Sequence, residues 1–385
     1  MILALRRGGS IRRVARRFGV SHTTVCRWAA RTRGCGLDRV DLSDRPAGCR
    51  RPPHRTSRRL ERTILAIRRR LDRDSPLGDC GARAIAAELQ RQRTAWIPCV
   101  RTIGRILARN GVLDGRRRVR RPPPPKGWYL PEVALGRAEI DSFDTITDLV
   151  IQGGQDVTVL NAMSLHGGLP GSWPRAKITA KIVVERLLEH WREQGTPTFA
   201  KFDNDTIFQG AHQWPDSFGR VIRLCLQLGV TPVFAPPREP GFQAEVEAYN
   251  GRWESRVWRR FHHRDLPALQ RRSHAFVRAA IEQAASRIAA APARRAVPVD
   301  FVPDLQQPLR GTVIFLRRAD PQGRVECLGH RWLADRNWPH RLVRVEVDLT
   351  AGQVRLFALR RREPEAQPLL KTLNYKVPKH GFIDI

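Results

Sequence analysis

The chain has 385 residues and a formal net charge of +32, with 69 Lys plus Arg against 37 Asp plus Glu. Hydrophobic residues make up 41%, and no apolar run approaches the roughly 18–20 residues that cross a bilayer, so a soluble chain of several domains is expected and a membrane partner is not. The seven Cys, at 26, 35, 49, 80, 99, 225 and 327, include no Cys-x-x-Cys pair, which argues against a zinc ribbon and for free thiols in a reducing compartment. The opening MILALRRGGS is too short in apolar length for a signal peptide, which makes the cytoplasm the expected location.

A pI near 11.5 points to a polyanionic partner. Residues 1–130 hold 33 Lys plus Arg and 9 Asp plus Glu, so +24 of the +32 sits in the first third. Residues 1–38 are read as a helix-turn-helix domain. Ile11, Val14, Ala15 and Phe18 share one helical face, and Gly19 suits a tight turn. Ser21 can cap a second helix that turns Val25 and Trp28 inward. His22, Thr23, Thr24 and Arg27 then fall near that helix's start, where such units meet the major groove of double-stranded DNA. The bland alternative, a plain helical hairpin, leaves the charge unexplained.

Residues 39–59 are read as a basic Arg/Pro linker. Residues 60–114 carry three apolar stripes: Ile64, Ile67 and Leu71; Ala84, Ile85 and Leu89; Ile103, Ile106 and Leu107. They predict a second helix-turn-helix domain, with Arg101 and Arg105 as its DNA contacts. Residues 115–130, beginning GRRRVRRPPPPKG, are read as another basic, proline-stiffened linker. From about 131 to 295 strand-like runs at 138–140, 157–160 and 198–202 alternate with amphipathic helices near 177–194 and 218–228, which implies an α/β layer fold. Asp216 is expected to cap the helix at 218. Residues 305–362 alternate as half-buried strands and are read as a small β-barrel. Arg317, Arg318, Arg331, Arg341 and Arg344 make it a candidate DNA-binding module.

Carboxylates are the minority, so three of them stand out. Asp141 follows the run Ala138–Ile140, Asp203 follows Phe199–Phe202, and Glu247 lies on a helix whose core stripe is Val246, Tyr249, Trp253 and Val257. Each has an ordinary reading: a turn or cap residue for the aspartates, a solvated helix position for Glu247. Together they form a set that two strands and a helix can aim at one point, as hard cations require. Asp144, Asp205 and Glu245 are near neighbours and stand as alternates. No Gly-x-x-x-x-Gly-Lys loop is present, so ATP hydrolysis is not expected.

The order Asp, then Asp203-Asn204, then Glu247-x-x-Asn250-Gly251 resembles the catalytic core of DDE transposases of bacterial insertion sequences and of retroviral-type integrases. The flanking helix-turn-helix units, the Asp44-Arg45-Pro46 linker and a C-terminal β-barrel are similar too, so the resemblance covers nearly the whole chain. It implies an α/β RNase H-like core with a mixed sheet. It also implies catalysis by Asp141, Asp203 and Glu247, holding two Mg²⁺ (or Mn²⁺) ions. The implied activity is metal-dependent DNA cleavage and strand transfer at terminal inverted repeats, by a homo-oligomer on DNA in the bacterial nucleoid. The chain departs from the family pattern at Asp205, where Gly is usual. Its segment before Glu247 is longer, with the extra length expected at 209–217, and it lacks a Cys/His zinc module. The other reading is an inactive helix-turn-helix regulator.

Overall fold

Amphipathic stretches punctuated by Gly and Pro build the first third of the chain, and the apolar and alternating runs after residue 136 build a sheet. The computed structural model describes residues 1–40, 43, 56–113, 126–211, 214–239 and 241–376. It divides into two compact units, Met1–Glu61 and Arg62–Ile385.

The first unit contains α1 (Ile2–Arg6), α2 (Ile11–Arg17) and α3 (His22–Arg31). Ser10 and Ser21 cap α2 and α3, accepting from the backbone N–H groups of Arg13 and Thr24. Gly19 between them has φ +62, a left-handed turn conformation open to glycine at no steric cost. The core is Val14, Ala15 and Val25, packed by Met1, Ala4, Leu5 and Val20. Ile11 and Phe18 are exposed, contrary to the expected inward face. Leu5 and Ala4 of α1, a helix not anticipated from sequence, fill the core instead. Trp28 is half-buried, with the Arg31 guanidinium 4.7 Å from its ring.

The division falls within α4 (Arg58–Asp74), which is followed by α5 (Ala82–Arg91) and α6 (Val100–Arg109). These bury Ile64 and Ile67, Ile85 and Leu89, and Ile103, Ile106 and Leu107. Most of the expected linker at 39–59, and residues 114–125 of the second one, lie outside the described residues. Trp128, Tyr129 and Leu130, assigned to that second linker from sequence, are core residues. They are buried with Val133 of α7 (Pro131–Ala134) and with Ile140, Val233 and Phe242. Aromatic burial there outweighs the neighbouring proline run.

Then follow β1 (Ile140–Val150), β2 (Asp156–Ser164), β3 (Pro170–Arg175), α8 (Ala180–Gln194), β4 (Phe199–Phe202), α9 (Thr206–Gln209), α10 (Arg220–Gln227), β5 (Thr231–Phe234), α11 (Ala244–Trp253) and α12 (Leu266–Ala289). The remaining strands are β6 (Thr312–Arg318), β7 (Arg324–Cys327), β8 (His330–Leu333), β9 (Leu342–Asp348), β10 (Gln353–Ala358) and β11 (Leu369–Asn374). Among the described residues one mixed sheet runs in the order β11-β10-β9-β6-β5-β4-β1-β2-β3, and β7 and β8 form a separate hairpin. The strands β1, β4, β5 and β6 are parallel; the two flanks are antiparallel.

The C-terminal strands therefore do not form the separate barrel expected at 305–362. The edge of β6 that closure would need is taken by β5, at Val233↔Ile314 and Phe234↔Phe315. A ladder of rings crosses this junction: Phe143 stacks on Phe202 at 5.3 Å, Phe202 leans on Phe234 at 5.9 Å, and Phe234 stacks on Phe315 at 5.1 Å. One apolar core thus runs from α8 and α10 to the C-terminal strands. Among the described residues no helix is long and apolar enough to cross a membrane.

Candidate active site

Parallel pairing of β1 with β4 sets Asp141 beside Ala200 and Ser142 beside Lys201. Side chains alternate along a strand, so Asp141 and Phe143 face one side of the sheet while Ser142 and Asp144 face the other. Asp141 lies on the α8 side. It is 1% exposed, accepts a hydrogen bond from Trp191 Nε1 at 3.2 Å, and takes both terminal nitrogens of Arg294, Nη1 at 3.0 Å. Both carboxylate oxygens are occupied in a buried ion pair. Asp141 does not follow a strand formed by 138–140: it is the second residue of β1, which continues for nine residues beyond it, through Val150.

Asp144, an alternate in the sequence reading, lies on the opposite face, and extending the β1–β4 register by two residues brings it level with Asp203. Its oxygens accept from the Thr145 N–H at 2.9 Å and from Asn250 Nδ2 at 2.7 Å. Burial pushes its carboxyl up to about 6. The charges of Asp203 and Glu247 add to that rise, against the two hydrogen bonds. Asp144, Asp203 and Glu247 are thus electrostatic neighbours. Asn250 lies three residues beyond Glu247 on α11 and receives a hydrogen bond from Asn161 at 2.8 Å. Asn161 stands directly opposite Asp144 on β2. This chain of carboxamides ties β2, α11 and β1 together at the site.

The other alternates have separate work. Asp205 is exposed and caps α9, accepting from the Ile207 N–H at 3.0 Å. Glu245 pairs with Lys201 Nζ at 3.1 Å. Lys201 is fully buried and also donates to Tyr129 Oη and to the Phe242 carbonyl. It joins β4, which leads into Asp203, to the start of α11, which carries Glu247. Asp203 Oδ1 accepts from the Asp205 N–H at 3.0 Å, closing a turn after β4. Asn204 donates to the Ala235 carbonyl at 2.7 Å and accepts from Arg317 Nη2 at 2.9 Å.

Several basic residues of the second unit, among them the C-terminal candidates Arg317, Arg318 and Arg344, are engaged internally. Arg260 donates to the Ser75 and Arg73 carbonyls, Arg259 pairs with Glu254, and Arg264 pairs with Asp265. Arg317 and Arg344 are buried, and Arg318 pairs with Glu239. Asp216 does not cap α10, whose N-cap is Gly219. It accepts from His330 Nε2 at 2.9 Å and from Tyr375 Oη at 2.6 Å. In the first unit His22, Thr23 and Arg27 are exposed. Thr24 is half-buried, its hydroxyl 2.8 Å from that of Ser21. Arg101 and Arg105 are exposed on α6. Asn250 falls within the Glu247-x-x-Asn250-Gly251 motif, which by itself gives it no role, and no local pattern marks Arg294, Asn161 or Lys201. Each of these acts through a contact that spans many residues of sequence.

Among the described residues no group of three or more His, Cys, Asp or Glu side chains stands close enough to hold a metal ion. The donor chemistry nevertheless suits one. Asp144, Asp203 and Glu247 with the Asn250 carboxamide are all-oxygen donors, and burial, with a further rise from the charges of Asp203 and Glu247, disfavours the Asp144 carboxylate that a cation would favour.

Residues 1–39 match the Homeodomain-like domain family. No curated protein sequence matches the chain. Among solved structures the chain is similar to the catalytic core domain of BIV integrase, at 17% identity and a TM-score of 0.27 over 36% of this chain and 80% of that one. It is also similar to the HTLV-2 integrase catalytic core domain in complex with magnesium, at 14% identity and a TM-score of 0.23 over 29% of this chain and 64% of that one. A third similarity is to the simian T-cell lymphotropic virus intasome in complex with PP2A regulatory subunit B56 gamma, at 13% identity and a TM-score of 0.34 over 70% of this chain and 92% of that one.

Proposed function

We propose that the chain is a DNA transposase, a DDE-type polynucleotidyl transferase whose carboxylates are Asp144, Asp203 and Glu247. What supports this is the charge interaction of Asp144 on β1 with Asp203 after β4 and with Glu247 on α11, together with the Asn250–Asp144 hydrogen bond, in a chain whose residues 1–39 match a Homeodomain-like domain. Carboxyl ends of parallel strands are where α/β sheets bind their ligands.

In this reading Asp144, Asp203 and Glu247 hold Mg²⁺ or Mn²⁺. Two such ions, when bound, activate an attacking oxygen and stabilise the leaving one. Asn250 fixes the Asp144 carboxylate, and the turn at Asp205 fixes Asp203. Water displaces the 3′-oxygen at a phosphodiester, which frees a 3′-hydroxyl and leaves a 5′-phosphate. That hydroxyl then displaces the 3′-oxygen at a target phosphorus, so one phosphodiester forms as another breaks and no nucleotide cofactor is consumed. His22, Thr23 and Arg27 read the terminal inverted repeats in the major groove, with Thr24 at the helix start, and Arg101 and Arg105 grip phosphates. Joining two element ends calls for a homo-oligomer on DNA, in the bacterial cytoplasm.

The test is incubation of the purified chain with Mg²⁺ and DNA carrying the ends that flank its gene. The wild type should nick and join. Asp144→Asn and Asp203→Asn should bind the ends and do neither. Undiminished strand transfer by Asp203→Asn would sink the assignment. The second reading, an inactive DNA-binding regulator, is favoured by the lack of a preformed three-ligand cluster among the described residues. It predicts end binding with no Mg²⁺-dependent nicking by any form of the chain.

A further inference from the structure

Arg317 is on β6, in the C-terminal strands that extend the sheet. It is 8% exposed, and among the described residues no carboxylate pairs with it. Its partners are the Leu316 carbonyl at 2.9 Å, the Ala235 carbonyl at 3.3 Å and Asn204 Oδ1 at 2.9 Å, with the Phe315 ring 5.1 Å beneath. A buried guanidinium without a counter-ion is costly, and burial lowers its pKa. A core position at a strand end does not call for one. The planar fork does what an apolar side chain cannot: it holds an amide from the β4 end and a carbonyl from the β5 end at once. Asn204 also bonds the Ala235 carbonyl, so the three groups close a ring immediately beside Asp203.

We propose that Arg317 is a positioning residue for the carboxylate site: acting through Asn204, it fixes the segment that carries Asp203, so the site is complete only when the C-terminal strands are seated on β5. This rests on the reading of Asp203 as one of the metal-holding carboxylates.

The test uses the full chain and Mn²⁺, with binding followed by the electron paramagnetic resonance signal of the free ion and folding by circular dichroism. Positioning partners of metal ligands typically change affinity by about 10- to 100-fold, and that loss is expected in Arg317→Met and in Asn204→Ala. Because the two residues act in series, the double variant should be no weaker than the weaker single one. Wild-type Mn²⁺ binding in folded Arg317→Met, or losses that multiply in the double variant, would overturn the proposal. Should Arg317→Met not fold, Arg317→Lys keeps the charge without the fork. A loss of Mn²⁺ affinity there supports the proposal, and wild-type binding overturns it. Asp203→Asn separates the two levels. Wild-type Mn²⁺ binding by that variant removes the site itself, whereas loss in Asp203→Asn with none in Arg317→Met removes only the role of Arg317.

Discussion

Asp141 and Asp144 are three residues apart, and replacing each by Asn should have opposite consequences. Asp141→Asn breaks a pair in which the Arg294 side chain is 12% exposed and the Asp141 side chain 1% exposed. The guanidinium is left buried beside a neutral amide. Removing one member of a buried pair costs about 3–5 kcal/mol. For a unit of this size each kcal/mol moves the midpoint by roughly 2 °C, so a fall of roughly 6–10 °C is expected. Asp144→Asn removes a carboxylate that burial and the charges of Asp203 and Glu247 disfavour, so its stability should be unchanged or higher by about 1 kcal/mol, the usual direction at sites built for function. Circular dichroism melts read the first effect, and Mg²⁺-dependent nicking of end-bearing DNA reads the second. Asp141→Asn should melt early yet nick when folded at low temperature, while Asp144→Asn should melt late and not nick. The opposite pattern, a stable but inactive Asp141→Asn beside an active Asp144→Asn, would refute the face-by-face reading of β1.

His190 is buried against Trp173, and burial pushes it down to about 4 from its ordinary 6.5. Between those values the unfolded chain takes up a proton that the folded chain refuses. Stability should therefore fall as pH drops from 6.5 to about 4, by on the order of 3 kcal/mol. His190→Gln should flatten that part of a stability-versus-pH curve, and an unchanged slope counts against the buried neutral imidazole. Lys201→Met leaves Glu245 and the Phe242 carbonyl without their donor and should cost about 3 kcal/mol in denaturant melts. Adding Glu245→Gln should recover part of it, and full additivity of the two would speak against the ion pair. Arg27→Ala should weaken DNA binding and lower the slope of log K against log salt by about one if it contacts a phosphate. An unchanged affinity and slope would remove it from the interface.

Much of the architecture was legible in the residues. Ser21 before an apolar helical stripe, Gly19 ahead of it and the Arg excess mark the first unit, because caps, turns and charge are local properties. The Asp203 and Glu247 settings were equally visible, since one follows a strand and the other sits at the margin of a helical stripe. What the local pattern could not decide was which of two aspartates on β1 faces α11. A strand presents alternate residues to opposite sides, and both Asp141 and Asp144 have hydrophobic neighbours. The choice rests on Arg294, 153 residues from Asp141, and on Asn250, 106 residues from Asp144. The fate of the C-terminal strands was hidden for the same reason. Alternation in Leu342–Asp348 says that one face is buried, but not whether a strand closes a barrel or adds to an existing sheet. The chain by itself marks its longer amphipathic helices, the turn at Gly19 and an inventory of carboxylates. The pairing of β6 with β5 and the ion pair that withdraws Asp141 belong to the tertiary structure, because both are contacts between segments far apart in sequence.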